Sequence, residues 1–345
     1  MNNSTTDCIS GPRQPLAVGF TIGGLTGLCV NLVCLRTVLT WKGYTVPTRC
    51  LLTAQCCLNV CHSLVYCGYL GPILTLTTHG NSTLSRLSLP RRLVIFWTFG
   101  SLGLMVITAL HRFAAVRQLG SSARQLRLVQ IGLGVALLLA AGYADLAHLV
   151  KERPGYFDVC QLKWSNWISA MNGTTIFLGW TQQQLKFFTI KFATTVTYGC
   201  VSVTLAVYII LILEVHRKRY AWRLKFILHQ QSPPNQTTTT AAAAATTLKP
   251  KFVIQRKEVK ITCQTALLAA LRVSQILMGV YWKIQQQEKS LSPVGELILF
   301  EGIKLILTLS DPLILFSLSG KLRGAVCTMI SCSSNTTTPV VRIGA

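Results

Sequence analysis

Charge is what this chain has least of, and acidic charge above all. Of 345 residues only 12% are charged, and 10 are Asp or Glu against 33 Lys or Arg. Soluble domains carry about a quarter. That shortage leaves little room for a globular domain. Several chemical signatures are also missing. There is no metal-spaced His cluster, no nucleophile elbow and no phosphate-binding Gly loop, so neither an enzyme nor a metal or cofactor is expected. The polar start, Met1 to Pro15, has no basic n-region followed by a short apolar core, so no cleaved signal peptide is expected. No internal repeat is visible either.

What the chain does have is long apolar stretches. Leu16 to Leu35, Cys50 to Ser85, Leu93 to Leu110, Leu128 to Ala144 and Phe192 to Leu213 are long apolar runs that contain no Asp, Glu, Lys or Arg. A helical crossing needs about 20 mostly apolar residues, and only helices and closed barrels satisfy their backbone hydrogen bonds in lipid. Ile261 to Trp282 and Leu291 to Phe316 are long enough to cross but carry ionisable residues. The expectation is an all-α membrane protein, a seven-transmembrane helix bundle, with spans at about 16–39, 50–76, 93–115, 127–149, 187–214, 259–283 and 291–317. An extracellular N-terminus, 1–15, precedes them. A short amphipathic C-terminal helix and cytoplasmic tail, 318–345, follow.

The net charge of +23 reads as an orientation signal rather than a nucleic-acid surface. With the N-terminus outside, the cytoplasmic loops and span ends hold twenty Lys or Arg and the opposite side holds ten. Sequons at Asn2, Asn3, Asn81 and Asn172 would then face outward as glycosylation sites, while Asn235 and Asn335 would be unmodified chance matches. Of thirteen cysteines, Cys8, Cys67 and Cys160 are placed for an oxidising compartment and are the disulfide candidates. Cys327 and Cys332 follow the last span and are candidates for palmitoylation or simply inert thiols. The plasma membrane is the expected location.

Between the spans, 215–258 is expected to be a cytoplasmic loop, opening on the basic run His216-Arg217-Lys218-Arg219 and passing through the low-complexity tract 237–247. Five alanines flanked by threonines are too few to nucleate a helix, so the tract reads as a disordered spacer. The outer segment from Lys151 to Lys186 holds Trp164, Trp167 and Trp180. It reads either as a cover over the bundle mouth or as an interfacial aromatic belt.

Ionisable residues inside the spans are costly in lipid and should face the interior, each other or water. They are Lys191 in the fifth span, Arg272 in the sixth, and Glu296, Glu301 and Lys304 in the seventh. Glu301 and Lys304, three apart, share a helix face and can pair. Arg272 has no acid nearby in its own span, so it either finds a partner elsewhere, such as Glu301, or contacts a ligand. Lys191, Arg272 and Lys304 outnumber Glu296 and Glu301 by one, which would suit an anionic ligand such as a carboxylate, phosphate or nucleotide.

Three short matches make the chain resemble a rhodopsin-like (class A) G-protein-coupled receptor, as a divergent, orphan-like member. Gly27-Leu28-Cys29-Val30-Asn31 resembles the first-span Gly-x-x-Gly-Asn region, with Asn31 on its most regular position. Leu110-His111-Arg112-Phe113 resembles the third-span segment ending in Asp-Arg-Tyr, and Asp311-Pro312-Leu313-Ile314-Leu315 resembles the seventh-span Asn-Pro-x-x-Tyr element. The resemblance implies that an extracellular chemical ligand, small molecule or peptide, is transduced to a heterotrimeric G protein. His111, Arg112, Phe113, Asp311 and Pro312 would then serve coupling and activation. Arg112 would engage carbonyls of an inserted partner helix, or stand as an interfacial cation.

Departures from the pattern are several. The acid before Arg112 is His111, and the second span offers Gln55, Cys56 or Cys57 where the family has an Asp central to a sodium site. Leu87 stands where the family has a disulfide-forming Cys at the outer end of the third span. Lys304 lies eight residues before Pro312 rather than the seven of retinal-binding lysines, and one residue rotates a helix by about 100°. A chemosensory receptor, taste-like or pheromone-like, is the alternative within the same architecture. A small-solute transporter is the alternative outside it, although no inverted repeat is seen.

Overall fold

The computed structural model describes residues 13–40, 44–76, 89–119, 121–149, 157–158, 163–164, 175–177, 180–230, 262–274, 276–278, 293–318 and 323–324. The four outer sequons, Cys8, Cys160, Cys327, Cys332, the 237–247 tract and nearly all of the C-terminal helix lie outside these residues.

Seven helices form in chain order. They are α1 (Arg13–Thr40), α2 beginning at Val46–Val65, α3 (Leu89–Arg117), α4 (Ser122–Leu149), α5 (Gln182–Gln230), α6 (262–274 and 276–278) and α7 ending as Ile303–Leu318. Five of them are long and apolar enough to cross a membrane: α1 to α5. Two contain a π-helical turn. In α2, Tyr66–Leu70 is π-helical and Gly71–Leu76 resumes the α-helix; in α7, Pro293–Leu297 leads into the π turn Ile298–Gly302. Such a turn inserts an extra residue and re-aims the side chains around it.

One expectation is corrected. Residues 215–230 are not loop but the continuation of α5 to Gln230. Apolar character marks where a span leaves lipid, whereas a helix ends only where its hydrogen bonding is broken, and Arg, Lys and Leu are good helix formers. The outer segment also contains two small antiparallel hairpins, β1 (Phe157–Asp158) with β2 (Lys163–Trp164) and β3 (Thr175–Phe177) with β4 (Trp180–Thr181).

Packing divides the bundle. One buried apolar cluster joins Ala17 and Phe20 of α1 to Tyr66, Leu70 and Ile73 of α2 and to Leu297 and Leu305 of α7. A second joins Cys34 and Val38 to Cys56 and Leu315 of the same three helices. A third ties Leu102, Met105 and Ala109 of α3 to Tyr208 and Leu211 of α5 and Ala269 of α6. Leu51, Leu58, Trp97, Leu104 and Val129 connect α2, α3 and α4. Among the described residues, no such cluster contains both α6 and α7. Close approach of α1 and α2 depends on Gly24, where a Cβ would lie 2.6 Å from the Cys67 backbone nitrogen. The outer face of α4, with Leu128, Ile131, Leu138 and Leu139 all more than 60% exposed, is the apolar surface lipid would cover.

The α3–α4 turn is built by a cap. Gln118 takes φ 57°, Leu119 N donates to Ala114 O at 2.9 Å and Gln118 N to Ala115 O at 3.2 Å. Those two bonds satisfy carbonyls that the helix end leaves orphaned, in the Schellman pattern. Arg117 is thereby fixed as the last residue of α3, with its guanidinium 4.8 Å above the Phe113 ring.

Candidate functional site

Pro312 explains the centre of the molecule. Lacking an N–H, it cannot bond the carbonyl of Thr308 four residues earlier. Asn31 fills the gap from α1, donating through Nδ2 to Thr308 O at 3.1 Å and to Gly27 O at 2.8 Å. Its Oδ1 accepts from Asn59 Nδ2 at 3.3 Å. The motif residues Asn31 and Pro312, far apart in sequence, are thus brought together by one missing hydrogen bond.

Beside them lies a buried carboxylate. Asp311 is 3% exposed, and its Oδ2 accepts from Gln55 Nε2 at 2.8 Å, Asn59 Nδ2 at 3.0 Å and Arg272 Nη2 at 2.6 Å. Arg272 therefore has its counter-ion in Asp311, and the expected partner Glu301 is replaced. The sequence inventory weighed only Glu296 and Glu301 as acids, leaving out the motif aspartate. With Asp311 set beside Glu296 and Glu301, the excess of one that Lys191, Arg272 and Lys304 held over those acids disappears. The carboxylate of this cluster sits on the seventh helix, with Gln55 and Asn59 of α2 supplying amides. Cys56 is buried against Cys34 and Leu315, and Cys57 is exposed.

Glu301 belongs to a second cluster, toward the N-terminal end of α7. Lys304 Nζ donates to Glu301 Oε1 at 2.8 Å, as the spacing of three predicts. Tyr66 Oη donates to Glu301 Oε2 at 2.8 Å and lies 3.1 Å from the Glu301 carbonyl, so the two π turns meet through this pair. His62 stacks on Trp97 with ring centroids 3.7 Å apart and meets Tyr66 edge-on. Because the Thr308 hydroxyl donates to Lys304 O at 2.9 Å, it can only accept from His62 Nδ1 at 2.8 Å. That assigns the Nδ1 proton of His62. Thr308 thus links the two clusters, through its hydroxyl to one and its carbonyl to the other.

Arg112 is 2% exposed, which distinguishes it from an interfacial cation. Its Nη2 donates to Thr48 Oγ1 at 2.7 Å. His111 is also buried, and its Nδ1 has no hydrogen-bond partner among the described residues. Phe113 is half-buried under Arg117, which also reaches Glu214 of α5 at 3.8 Å. A cavity of about 60 Å³ opens between Arg112 and the Asp311 cluster, lined by Thr108, Gln264 and Arg272 among others. Gln264 is buried, and its Nε2 has no partner among the described residues.

The three in-span cations do not converge. Arg272 is held by Asp311 and Lys304 by Glu301, while Lys191 is exposed, 5.7 Å from the Phe187 ring centroid. Of the disulfide candidates, Cys67 alone is described, half-exposed with its thiol toward Leu64 O at 3.9 Å. Of the α2 residues in these clusters the sequence points to Gln55 alone, as one of three at the second-span Asp position, and not to Asn59, His62 or Tyr66. The spacing of these four residues, by four, three and four, is one polar stripe on an otherwise apolar helix and was the available signal.

The fold matches that of squid rhodopsin, a crystal structure, with a TM-score of 0.68 over 95% of this chain and 87% of that chain, at 11% sequence identity. No protein-family model matches the chain, and no curated protein matches its sequence. The likeness is one of architecture, a seven-helix rhodopsin-type bundle.

Proposed function

We propose that this protein is a plasma-membrane receptor of the G-protein-coupled type, with its N-terminus outside, converting an extracellular chemical signal into heterotrimeric G-protein activation. The supporting observation is the placement of Arg112. In a bundle of rhodopsin architecture, a guanidinium at the end of α3 points inward, onto a cavity shared by α2, α3, α5, α6 and α7. Helices α5 and α6 at that end are packed to α3 rather than to α7. Their separation from α7 would widen the cavity into a cleft for a partner helix, and agonist would act by favouring that arrangement. Arg272 and Lys304 serve the bundle as halves of ion pairs, so the ligand class is left unassigned.

Arg112→Ala tests this reading. With surface expression near wild type, activation across a panel of heterotrimeric G proteins should be largely lost. Restoring an acid with His111→Asp should lower basal activation, because a carboxylate there would hold Arg112 in place. Unchanged signalling in both variants would remove Arg112 from the coupling machinery.

A further inference from the structure

Helices α6 and α7 are neighbours whose apolar residues belong to different clusters. α7 is packed with α1 and α2, and α6 with α3 and α5. Arg272 of α6 crosses that seam to Asp311 of α7 at 2.6 Å, with side-chain exposures of 10% and 4%. We propose that this ion pair is a latch: it holds α6 against α7 in the arrangement seen here and opens when the bundle changes state. It deepens the receptor reading by naming the contact that regulates the cavity, and it rests on that reading.

Three features separate a latch from a pair that merely fills space. The first is directional. Asp311 Oδ2 also accepts from Gln55 and Asn59, both on α2, so the carboxylate stays hydrogen-bonded when the guanidinium leaves. The second is room. Arg272 borders the cavity of about 60 Å³, enough for several waters at roughly 10–15 Å³ of such space each. The same wall carries Thr108 and the amide of Gln264, so the guanidinium has a polar second location. The third is that attraction inside a low-dielectric bundle is strong at contact and is replaced by hydration once water enters, which favours two discrete states over a continuum.

The test must not strand a buried charge, since breaking one side of a buried pair damages folding by itself. The double variant Arg272→Gln with Asp311→Asn keeps a hydrogen bond and removes both charges. Purified protein in nanodiscs is compared with wild type by hydrogen exchange over residues 262–274, and in parallel by nucleotide exchange on added G protein. The latch predicts a shift toward the open state of roughly 5- to 150-fold, seen as faster exchange in α6 with exchange in α1 unchanged. Arg272→Lys, which keeps the charge but loses the forked reach, should fall between.

A folded double variant with wild-type exchange in α6 would overturn the proposal. So would a double variant that fails to fold beside a folded Arg272→Lys with wild-type exchange, because the pair would then be a structural requirement only. Faster exchange in α6 with no nucleotide exchange on any G protein would support the latch and retire the G-protein reading. Faster exchange together with raised basal nucleotide exchange supports both.

Discussion

Two buried ion pairs among the described residues have similar lengths, 2.8 Å for Glu301 with Lys304 and 2.6 Å for Arg272 with Asp311, but differ in what they connect. Glu301 and Lys304 stand one turn apart on the same helix. Their separation is fixed by helix geometry, so the pair survives any movement of α7 as a body. Arg272 and Asp311 stand on different helices and from different apolar clusters, so their contact depends on where those helices lie. A pair within one element stabilises that element, whereas a pair between elements also reports their arrangement.

The largest expected effect breaks the inter-helix pair from its acid side. Asp311→Ala leaves Arg272 as an uncompensated cation at 8% exposure and removes the acceptor for Gln55 and Asn59. Loss of one partner from a buried pair costs about 3 to 5 kcal/mol. Thermal unfolding in detergent or nanodiscs should show a large drop, accompanied by reduced surface expression. A change no greater than that of the same-helix variants below would mean that the two pairs are equivalent.

Asn31→Leu tests the support beneath that pair. The substitution withdraws the donor for the Thr308 carbonyl, which Pro312 has already deprived of its helical partner. A buried carbonyl left without a donor costs about 1 to 3 kcal/mol. The companion variant Pro312→Ala returns a backbone N–H to Thr308, so Asn31→Leu should be less damaging in that background. Additive effects of the two substitutions would break the link between them.

Much of the fold was legible because lipid leaves a chain so few options. Each charge-free run overlaps one of the helices α1 to α5, and Glu301 and Lys304, three apart on the last helix, form an ion pair. The errors share a cause. Apolar length stopped the fifth span at Leu213, although α5 continues helical to Gln230, because composition records the solvent and not the backbone. For Arg272 the sequence leaves open a partner such as Glu301 or a ligand, because Asp311 reads as a motif residue and not as a charge, whereas the structure pairs it with Asp311. The π turns at Tyr66–Leu70 and Ile298–Gly302 shift the register by one residue, and no sequence period announces that. The Asp311 cluster joins α2, α6 and α7 by contacts 39 to 256 residues apart in sequence, and the stripe Gln55, Asn59, His62 and Tyr66 is the pattern that foreshadows its α2 side.

Glu301→Gln sharpens the comparison from the other side. The neutral amide can still accept from Lys304 through Oε1 and can donate through Nε2 to Tyr66 Oη, and Lys304 has a side-chain exposure of 20%, enough to move its ammonium toward water. The expected loss is that of the charge assistance on one hydrogen bond, about 0.5 to 1.5 kcal/mol. Exchange in α6 should remain at the wild-type rate, since no element is released. Faster exchange there would show that the clusters communicate through Thr308, whose hydroxyl serves one and whose carbonyl serves the other.

The smallest effect belongs to a cation in neither pair. Lys191 is exposed where the membrane-length part of α5, Lys191–Arg217, begins, with its ammonium 5.7 Å from the Phe187 ring centroid. Its ammonium can reach the headgroup zone, so Lys191→Gln surrenders a cation–π contact worth about 0.5 to 1 kcal/mol at an exposed site and strands nothing. Unfolding temperature and exchange in α6 should both stay close to wild type. A loss approaching that of Asp311→Ala would require an acid for Lys191 inside the bundle, and the division between paired interior charges and a solitary peripheral one would fail. Agreement with the small value would make Lys191 the control against which both ion pairs are measured, because it removes a positive charge from the membrane without removing a partner.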